Sequence, residues 1–313
     1  MIIRRKTLGA LLLALLLLAP SAPAELGVQE EQPAEEAGAP IYALPMDDYT
    51  ATGYEPDEAC FTENGYKDAS IEVTMSRDWF DESGFSIAYV RITDPSQLRT
   101  GLAGGFLKKT NYVSSIAKKH KAVVATGGEF LSKNVSTYCV RMGVTLRKKG
   151  YKSRDILITD ENADLHIYKG FSTETLEAFR AEGHTVVNLF NFGPALVIDG
   201  ELQSIDRHYT VGNVRYRAPR AAIGQLGPLE YVIVVVDGRN ALATNENGTH
   251  HKSKGITMEV LAQYMADLHC IQAYALDGGG SAVMYFHGET FSTPSSKRSV
   301  DDIVYFATTV QAE

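Results

Sequence analysis

Two apolar strand sequences, separated by an amphipathic helix sequence, most constrain the fold of this chain. YVIVVV (231–236) is followed by Asp237 and a glycine, and IQAYAL (271–276) is followed by Asp277 and a glycine. Between them, TMEVLAQYMADL (257–268) carries apolar residues at helical spacing behind a capping threonine. If the two strands share a sheet, the helical crossover predicts that they run in the same direction. Both aspartates then lie at one sheet edge, where ligands commonly bind.

Three consecutive glycines, Gly278–Gly280, stand between Asp277 and Ser281. Glycine weakens the strand or helix that it enters, so a run of three needs a reason. One interpretation is a tight turn that requires positive φ angles. The other is a backbone surface that a ligand approaches closely, with N–H groups directed at an anion. The run lacks the G-x-x-x-x-G-K-[ST] spacing of a P-loop, and both interpretations stay open.

Strand and helix patterns alternate through the body of the chain. IEVTMSRDW, FSIAYVRI and AVVAT are typical of strands, whereas DPSQLRTGLA, TNYVSSIAKKH and STETLEAFRAEG are typical of helices. The pattern predicts an α/β (mixed α+β) fold, with a single domain in which a mixed β-sheet core is flanked by helices.

The N-terminal region predicts export. A basic segment, a short apolar core and Ala22-Pro23-Ala24 have the order of a signal peptide over residues 1–24, with an uncleaved membrane anchor as the alternative. Residues 25–58 are acidic and rich in Pro, Ala and Glu, which predicts a disordered linker. The domain is therefore expected over residues 59–313, in a protein that is secreted or associated with the cell envelope.

Charge and cysteine content exclude some classes of function. The net charge of −8 argues against bulk binding to nucleic acid or to an anionic membrane, apart from an uncleaved anchor. Cys60, Cys139 and Cys270 allow at most one internal disulfide and match no metal motif. Buried thiols are the preferred interpretation, although an exported protein can pair two of them.

Several segments, in order, resemble the phosphodiester glycosidase family. ALDGGGSAVMYFHGE is similar to its NLDGGGS-type signature, and RAPRAAIGQLG is similar to its R-x-P-R-T-A-I-G segment. FNFGPALVIDGE, VVVDGRN and RSVDDIVYF resemble its F-G-P-x-L-V-x-D-G, V-V-D-G-R and closing strand elements. With VRITDPSQLRTGLA and AVVATGGEFL, the resemblance covers about residues 85–308.

The resemblance implies hydrolysis of a sugar-1-phosphodiester between the anomeric carbon and the phosphate oxygen. Carboxylates suit the positive charge that develops on the sugar ring, and arginine suits the phosphate oxygens. The candidate catalytic residues are Asp277, then Asp237 and Glu129. The candidate substrate- or phosphate-binding residues are Arg220, Arg239, Gly278, Gly279, Gly280, Ser281, Arg298 and Asp302. Arg298 and Asp302 are expected to brace the site as a pair or to serve a purely structural role.

Two positions depart from the family pattern, because Gly127 and Ala275 stand where the family has asparagines. The departures bear on substrate preference and on activity. The alternative is a binding module, an envelope protein that holds a phosphorylated glycan without cutting it. A phosphatase or phosphodiesterase that cuts the P–O bond is the third interpretation, and it calls for a clustered metal site.

The sequence leaves the metal content unknown. His250 and His251, with His269 or His287, have no diagnostic metal spacing, and a divalent cation held by aspartates remains open. No cofactor is expected to be required. The expected partner is a phosphorylated glycan or another sugar-1-phosphodiester substrate.

Overall fold

The computed structural model describes residues 40–311, except 106–108, 134, 212 and 245–248. These residues belong to one compact unit. In chain order its strands are β1 (Phe61–Thr62), β2 (Gly65–Lys67), β3 (Ile71–Phe80), β4 (Ser83–Ile92), β5 (Leu98–Leu102), β6 (Val124–Gly127), β7 (Cys139–Arg141), β8 (Val144–Arg147), β9 (Ile156–Thr159), β10 (Leu165–Tyr168), β11 (Asn188–Phe190), β12 (Ala195–Ile198), β13 (Glu201–Leu202), β14 (Arg220–Gly227), β15 (Glu230–Val236), β16 (Leu242–Thr244), β17 (His250–Lys252), β18 (Gln272–Leu276), β19 (Met284–Phe286), β20 (Glu289–Thr290) and β21 (Asp302–Phe306). The helices are α1 (Val113–Lys119), α2 (Thr173–Ala181) and α3 (Met258–Asp267).

The strands form three larger sheets and a hairpin. The nine-stranded sheet has the order β1-β2-β3-β4-β15-β14-β18-β12-β13. The two five-stranded sheets have the orders β10-β9-β11-β7-β8 and β20-β19-β6-β21-β5, and β16 pairs with β17. Sheets with flanking helices confirm the predicted α+β class.

The strand–helix–strand unit is present, but its two strands are not neighbours. β14 lies between β15 and β18 and pairs antiparallel with both. Strands β15 and β18 therefore run in the same direction, as predicted, while each adjoining pair is antiparallel. Every pairing between the described strands is antiparallel, which corrects the expectation of a mixed sheet. The sequence could not show that β14 fills the gap left by the α3 crossover.

The continuous apolar run of β15 is explained by burial on both faces of the nine-stranded sheet. Ile233 and Val235 face a core cluster shared with β6, β19 and β21, whereas Val232 and Val234 pack in the cluster that contains α3. Helix α3 buries Leu261 against the second face. Its predicted start is confirmed, since Thr257 caps it by accepting a hydrogen bond from Val260 N at 3.3 Å.

The other helix predictions have mixed outcomes. The segments around α1 and α2 are helical, and Ser172 caps α2. The segment 94–103 is not an α-helix: Asp94 and Pro95 begin a single 3-10 turn, and β5 follows at once. Asp94 caps this turn as its residue type favours, but pairing of β5 with β21 determines the longer structure.

The domain begins before the predicted residue 59. Ile41 forms a β-bridge with Val310, and Leu44 is 6% exposed and donates its N–H to Ser96 Oγ at 2.9 Å. Main-chain hydrogen bonds and the buried Leu44 side chain thus attach the start of residues 40–58 to the body. The predicted signal peptide and the linker up to residue 39 lie outside the described residues.

The three cysteines are free thiols, with Cys139 and Cys270 buried and Cys60 partly buried. Among the helices of residues 40–311, none has the length and apolar character needed to cross a membrane.

Candidate active site

Three strand ends of the nine-stranded sheet meet at one edge. Arg220 begins β14 and is the register partner of Val236, the last residue of β15. The next residue of β14, Ala221, is the partner of Leu276, the last residue of β18. Asp237 and Asp277 therefore flank the start of β14, so the predicted common edge is present.

A cavity of about 380 Å³ opens beside this edge. Its wall combines the ends of β14 and β18 with loops from several other elements. The lining residues are Phe130, Arg154, Phe192, Gly193, Thr210, Val211, Asn213, Tyr216, Ala218, Arg220, Arg239, Met258, Leu276, Asp277, Gly278, Gly279 and Arg298. Four of these described residues are arginines and one is a carboxylate, so the cavity favours an anionic ligand.

Asp277 is the carboxylate of the cavity. Its N–H donates to Gly128 O at 2.9 Å, which links the end of β18 to the end of β6 in the neighbouring sheet. Burial raises the pKa of its carboxyl group to about 6, against the lowering effects of the Ser281 hydroxyl and the Arg298 charge. The group is therefore mostly ionised at pH 7 and within reach of protonation in mild acid.

Arg220 supplies a buried positive charge at the same edge. Its side chain donates to three main-chain carbonyls, Ile256 O at 3.2 Å and Asn213 O and Tyr216 O at 2.8 Å each. Burial, with the charge of Arg239, lowers the pKa of this guanidinium to about 10, so it stays charged at pH 7. Neutral carbonyls hold the group in place without neutralising it, which suits a site for an anion.

The other three arginines approach the cavity from separate loops. Arg298 lies over the Phe130 ring at 4.5 Å, and Arg154 lies over the Tyr151 ring at 4.5 Å. Arg154 is 7% exposed and donates Nε to Thr210 Oγ1 at 3.2 Å, while its buried Nη1 donates to none of the described residues. Arg239 is exposed. Arg154 was not predicted, because its polar surroundings in KKGYKSRD give no sign of burial.

The three-glycine run forms a 3-10 turn, Gly279–Ser281, at the cavity wall. Gly279 has a φ of 62°, which satisfies the tight-turn interpretation. A side chain there would begin 3.8 Å from Arg298 Nη1, so the glycine also leaves space beside that arginine. The Gly279 N–H donates to Pro219 O at 2.9 Å and is thus engaged inside the protein. Gly278 also lines the cavity, whereas Gly280 and the buried Ser281 do not.

Glu129 and Asp302 lie behind the cavity wall and contact a buried arginine, Arg141, that was not predicted from the sequence. Arg141 Nη2 lies 2.9 Å from Glu129 Oε2 and 2.8 Å from Asp302 Oδ2, and all three side chains are at most 1% exposed. Glu129 also accepts Asn191 N at 2.6 Å. Burial raises the pKa of Glu129 to about 7, and burial likewise raises the pKa of Asp302.

The expected Arg298–Asp302 pair is therefore replaced by an Arg141–Asp302 pair. Neither Glu129 nor Asp302 is a lining residue of the cavity. The carboxylates instead connect β6, β7 and β21, the strands on or beside which they lie. Arg141 ends an apolar strand, and its partners lie 12 and 161 residues away, so no local signal could pair them.

Asp237 is also outside the lining residues. Its Oδ1 accepts the N–H of Thr293 at 2.8 Å, and its main-chain oxygen accepts the Ser253 hydroxyl at 3.2 Å. Burial raises the pKa of its carboxyl group. Asp237 thereby fastens the loop of residues 291–301, which carries Arg298 to the cavity.

Two tyrosines that sequence reasoning missed hold the opposite wall. Tyr274 OH accepts Phe192 N at 2.9 Å and donates to Asp155 O at 2.9 Å. Tyr209 OH accepts Asp155 N at 2.8 Å and donates to Phe192 O at 2.9 Å. The two hydroxyls thus tie the loop beside Arg154 to the loop of Phe192.

The two departures from the family pattern lie in tightly packed places. A side chain at Gly127 would begin 2.8 Å from Ser281 O, so this backbone leaves no room for one. Ala275 is 0% exposed and packs in the apolar cluster of α3. Neither position lines the cavity, so each acts on the neighbouring strand end through packing alone.

The histidines singled out in the sequence do not gather at the cavity. His251 packs near Trp79, with ring centroids 5.5 Å apart, and His287 pairs with Glu58 at 2.9 Å. His250 lies in the β17 hairpin and His269 follows α3. At the cavity itself, four arginines beside one carboxylate form a poor donor set for a cation.

A family comparison agrees with this arrangement. The model of the phosphodiester glycosidase family matches residues 120–307, which is more than half of the chain. This protein belongs to the phosphodiester glycosidase family. The matched span includes Asp277, Arg220 and Arg298 together with the buried Glu129–Arg141–Asp302 group.

Solved structures share the phosphodiester glycosidase fold at low sequence identity. The catalytic domain of zebrafish N-acetylglucosamine-1-phosphodiester alpha-N-acetylglucosaminidase, auto-inhibited by its pro-peptide, has a TM-score of 0.59 and 17% identity. The match covers 82% of this chain and 87% of that chain. A hypothetical protein from Synechocystis has a TM-score of 0.50 and 15% identity, with 75% of this chain and 62% of that chain covered.

A curated relative is the SPbeta prophage-derived uncharacterized protein YomE of Bacillus subtilis (strain 168). It is 27% identical over 197 residues, which are 61% of this phosphodiester glycosidase family member and 28% of YomE. The matched region therefore spans less than a third of the relative's length.

Proposed function

We propose that this protein hydrolyses a sugar-1-phosphodiester between the anomeric carbon and the phosphate oxygen. The products are a free sugar and a phosphomonoester. The observation that carries the proposal is the combination of one part-buried carboxylate, Asp277, with four arginines around a cavity of about 380 Å³. Membership in the phosphodiester glycosidase family supports a hydrolase of this class.

In the proposed reaction, Asp277 faces the anomeric carbon as a carboxylate. Its negative charge stabilises the positive charge that develops on the sugar ring as the C–O bond breaks. The raised pKa of about 6 still leaves it ionised at neutral pH. Water adds to the anomeric carbon and loses one proton to solvent, while the electrons of the broken C–O bond leave with the phosphate oxygen.

The arginines hold the diester and stabilise the departing phosphate. Arg220 is fixed by three carbonyls and lines the cavity, and Arg298 also lines it and lowers the pKa of Asp277. Because a phosphate leaving group is already acidic, it needs less protonation than an alkoxide. The reaction as proposed requires no cofactor, since guanidinium groups supply the positive charge.

Glu129, Asp237 and Asp302 are assigned positioning roles in this proposal. Asp237 fastens the Arg298 loop, and Arg141 holds Glu129 and Asp302 behind the end of β6. Asp277 is therefore the carboxylate proposed to act on the substrate.

We also propose that the protein acts outside the cytoplasm on a phosphorylated glycan of the cell envelope or an exopolysaccharide. The support is the signal-like sequence of residues 1–24 and the acidic segment behind it. N-terminal sequencing of protein recovered from the producing cells tests export: a mature terminus at or near residue 25 is expected. An intact N-terminus in a cytosolic fraction contradicts export.

A non-catalytic phosphoglycan-binding protein is the second candidate. This candidate is favoured because Glu129 and Asp237 are buried outside the cavity. Asp277 is then the one carboxylate among the described lining residues. Incubation of the purified protein with UDP-sugars and synthetic sugar-1-phosphodiesters, followed by assay of free sugar, separates the candidates. Release of free sugar supports the hydrolase. Tight calorimetric binding to one compound, without turnover on the whole panel, supports the binding protein.

A further inference from the structure

A second group of ionisable side chains lies away from the cavity, around the turn that follows β9. Asp160 and Glu161 begin this turn, and His166 lies on β10, the next strand. His184 comes from the connection between α2 and β11. The group therefore joins three segments that are separated in sequence.

The spacing of the ligand atoms is close to that of a metal site. His184 Nδ1 lies 3.6 Å from Asp160 Oδ2 and 3.6 Å from Glu161 Oε1. The three atoms lie within 4.8 Å of one another. Zinc bonds of ~2.0–2.2 Å in a tetrahedral site place neighbouring ligand atoms roughly 3.3–3.6 Å apart. Small side-chain movements would therefore bring all three donors onto one ion.

The geometry of His184 points to a ligand rather than to a simple hydrogen bond. Its Nδ1 is a buried atom that forms no hydrogen bond to any residue in the described part of the chain, although it faces two carboxylates. The His184 ring is held by stacking on Phe179, with centroids 4.8 Å apart and planes at 21°. The nitrogen is thus fixed toward the two carboxylates but makes no hydrogen bond among the described residues.

Both carboxylates are held so that one oxygen remains directed toward His184. Asp160 Oδ1 accepts the N–H groups of Asn162 and Asp164 at 2.9 Å each. Glu161 Oε2 accepts Thr185 N at 2.6 Å. Such contacts orient the ligands of metal sites in other proteins.

We propose that Asp160, Glu161 and His184 bind a zinc ion. An imidazole nitrogen with two carboxylate oxygens suits Zn²⁺ better than Mg²⁺ or Ca²⁺, which prefer oxygen donors alone. His166 Nε2, 3.0 Å from Asp160 Oδ2, is a positioning residue that orients Asp160. The fourth coordination position is filled by solvent, because Glu161 and His184 are partly exposed.

The proposed ion ties the turn after β9 to the segment before β11. It lies beyond one end of β9 and Arg154 lies beyond the other, and this four-residue strand is roughly 13 Å long. The site is therefore expected to raise thermal stability and to leave binding in the cavity unchanged.

The test uses the full protein after dialysis against a chelator. Titration with ZnCl₂, followed by calorimetry, should show one bound ion per chain and an increase of several degrees in the unfolding temperature. His184→Ala and Glu161→Gln should each weaken zinc binding by about 100-fold or more, and His166→Ala by roughly 10–100-fold. Cobalt(II) in place of zinc should give the visible absorption of a tetrahedral ion in the wild type and not in His184→Ala.

Two histidine variants serve as matched controls. His287→Ala removes a histidine that faces a single carboxylate, Glu58, and His251→Ala removes one from the β17 hairpin. Both should bind zinc as the wild type does. Zinc binding that survives His184→Ala, or that is lost in either control, overturns the proposal. The proposal is also overturned if zinc added to the metal-free protein gives no heat of binding and no change in the unfolding temperature.

Discussion

Arg220 and Asp277 face one cavity from neighbouring antiparallel strands. Arg220 is the first residue of β14, and its neighbour Ala221 is paired with Leu276, which directly precedes Asp277. Adjacent antiparallel strands place the beginning of one chain segment beside the end of the other. The proposed phosphate ligand and the proposed catalytic carboxylate are thus fixed to each other by sheet hydrogen bonds.

The first prediction concerns the Asp277 carboxylate. Asp277→Asn keeps the shape of the side chain and removes its charge, so turnover should fall by about 10²–10³-fold while substrate binding survives. Burial raises the pKa of Asp277 to about 6, and the ionised form is lost as the pH falls through this value. The kcat/KM of the wild type should therefore decline below about pH 6. A rise in kcat/KM with increasing acidity would mean that the protonated acid is the active form.

The second prediction concerns the buried charge of Arg220. Arg220→Ala removes a charge-assisted contact worth about 1.5–3 kcal/mol, so the Kd for the sugar phosphodiester should rise by roughly 10–150-fold. Arg217→Ala is the matched control, because Arg217 belongs to the same RAPR segment but pairs with Asp81 at 3.0 Å. Calorimetry should show near-normal binding for the control. Equal weakening in both variants would contradict the role of Arg220.

The third prediction separates the role of Asp237 from that of Asp277. In Asp237→Asn the amide oxygen still accepts the Thr293 N–H, so activity should stay within a few-fold of the wild type. Asp237→Ala leaves that buried N–H without its acceptor and should cost about 1–3 kcal/mol of unfolding free energy. Urea unfolding and activity assays on both variants provide the measurement. A loss of activity in Asp237→Asn as severe as that in Asp277→Asn would return Asp237 to the catalytic residues.

The fourth prediction concerns Arg141. Arg141→Met leaves Glu129 and Asp302 buried without their cation, which should cost about 3–5 kcal/mol of unfolding free energy. The folded-state pKa of Glu129, about 7, is already above its ordinary value, and loss of the cation raises it further. Ionisation with rising pH then opposes folding, so the stability difference between wild type and variant should widen from pH 5 to pH 8.

The control for Arg141 is Arg91→Met, which breaks the exposed Arg91–Glu230 pair. That variant should lose at most about 1 kcal/mol at either pH. A stability difference for Arg141→Met that narrows with rising pH would show that the two carboxylates do not carry the expected charge.

The sequence predicted the strand ends well because each carries its own local signal. An apolar run followed by Asp-Gly marks the ends of β15 and β18. The common edge of Asp237 and Asp277 followed from the parallel direction that a helical crossover imposes on two strands of one sheet. The intervening position of β14 did not follow, because strand order depends on long-range pairing.

The sequence could not predict the direction in which each side chain points. Asp237 and Asp277 have the same local context, yet one holds Thr293 and the other lines the cavity. Glu129 was a candidate catalytic residue but is 2% exposed beside Arg141. These differences arise from packing between sheets, and the residues that decide them are far apart in the chain.

Hydrolysis in oxygen-18 water tests the central claim most directly. The proposed cleavage breaks the bond between the anomeric carbon and the phosphate oxygen, so the label should appear in the anomeric hydroxyl of the free sugar. Mass spectrometry of both products after a single turnover gives the answer before the sugar exchanges its hydroxyl with solvent. Label in the phosphomonoester instead would show P–O cleavage and contradict the proposed role of Asp277.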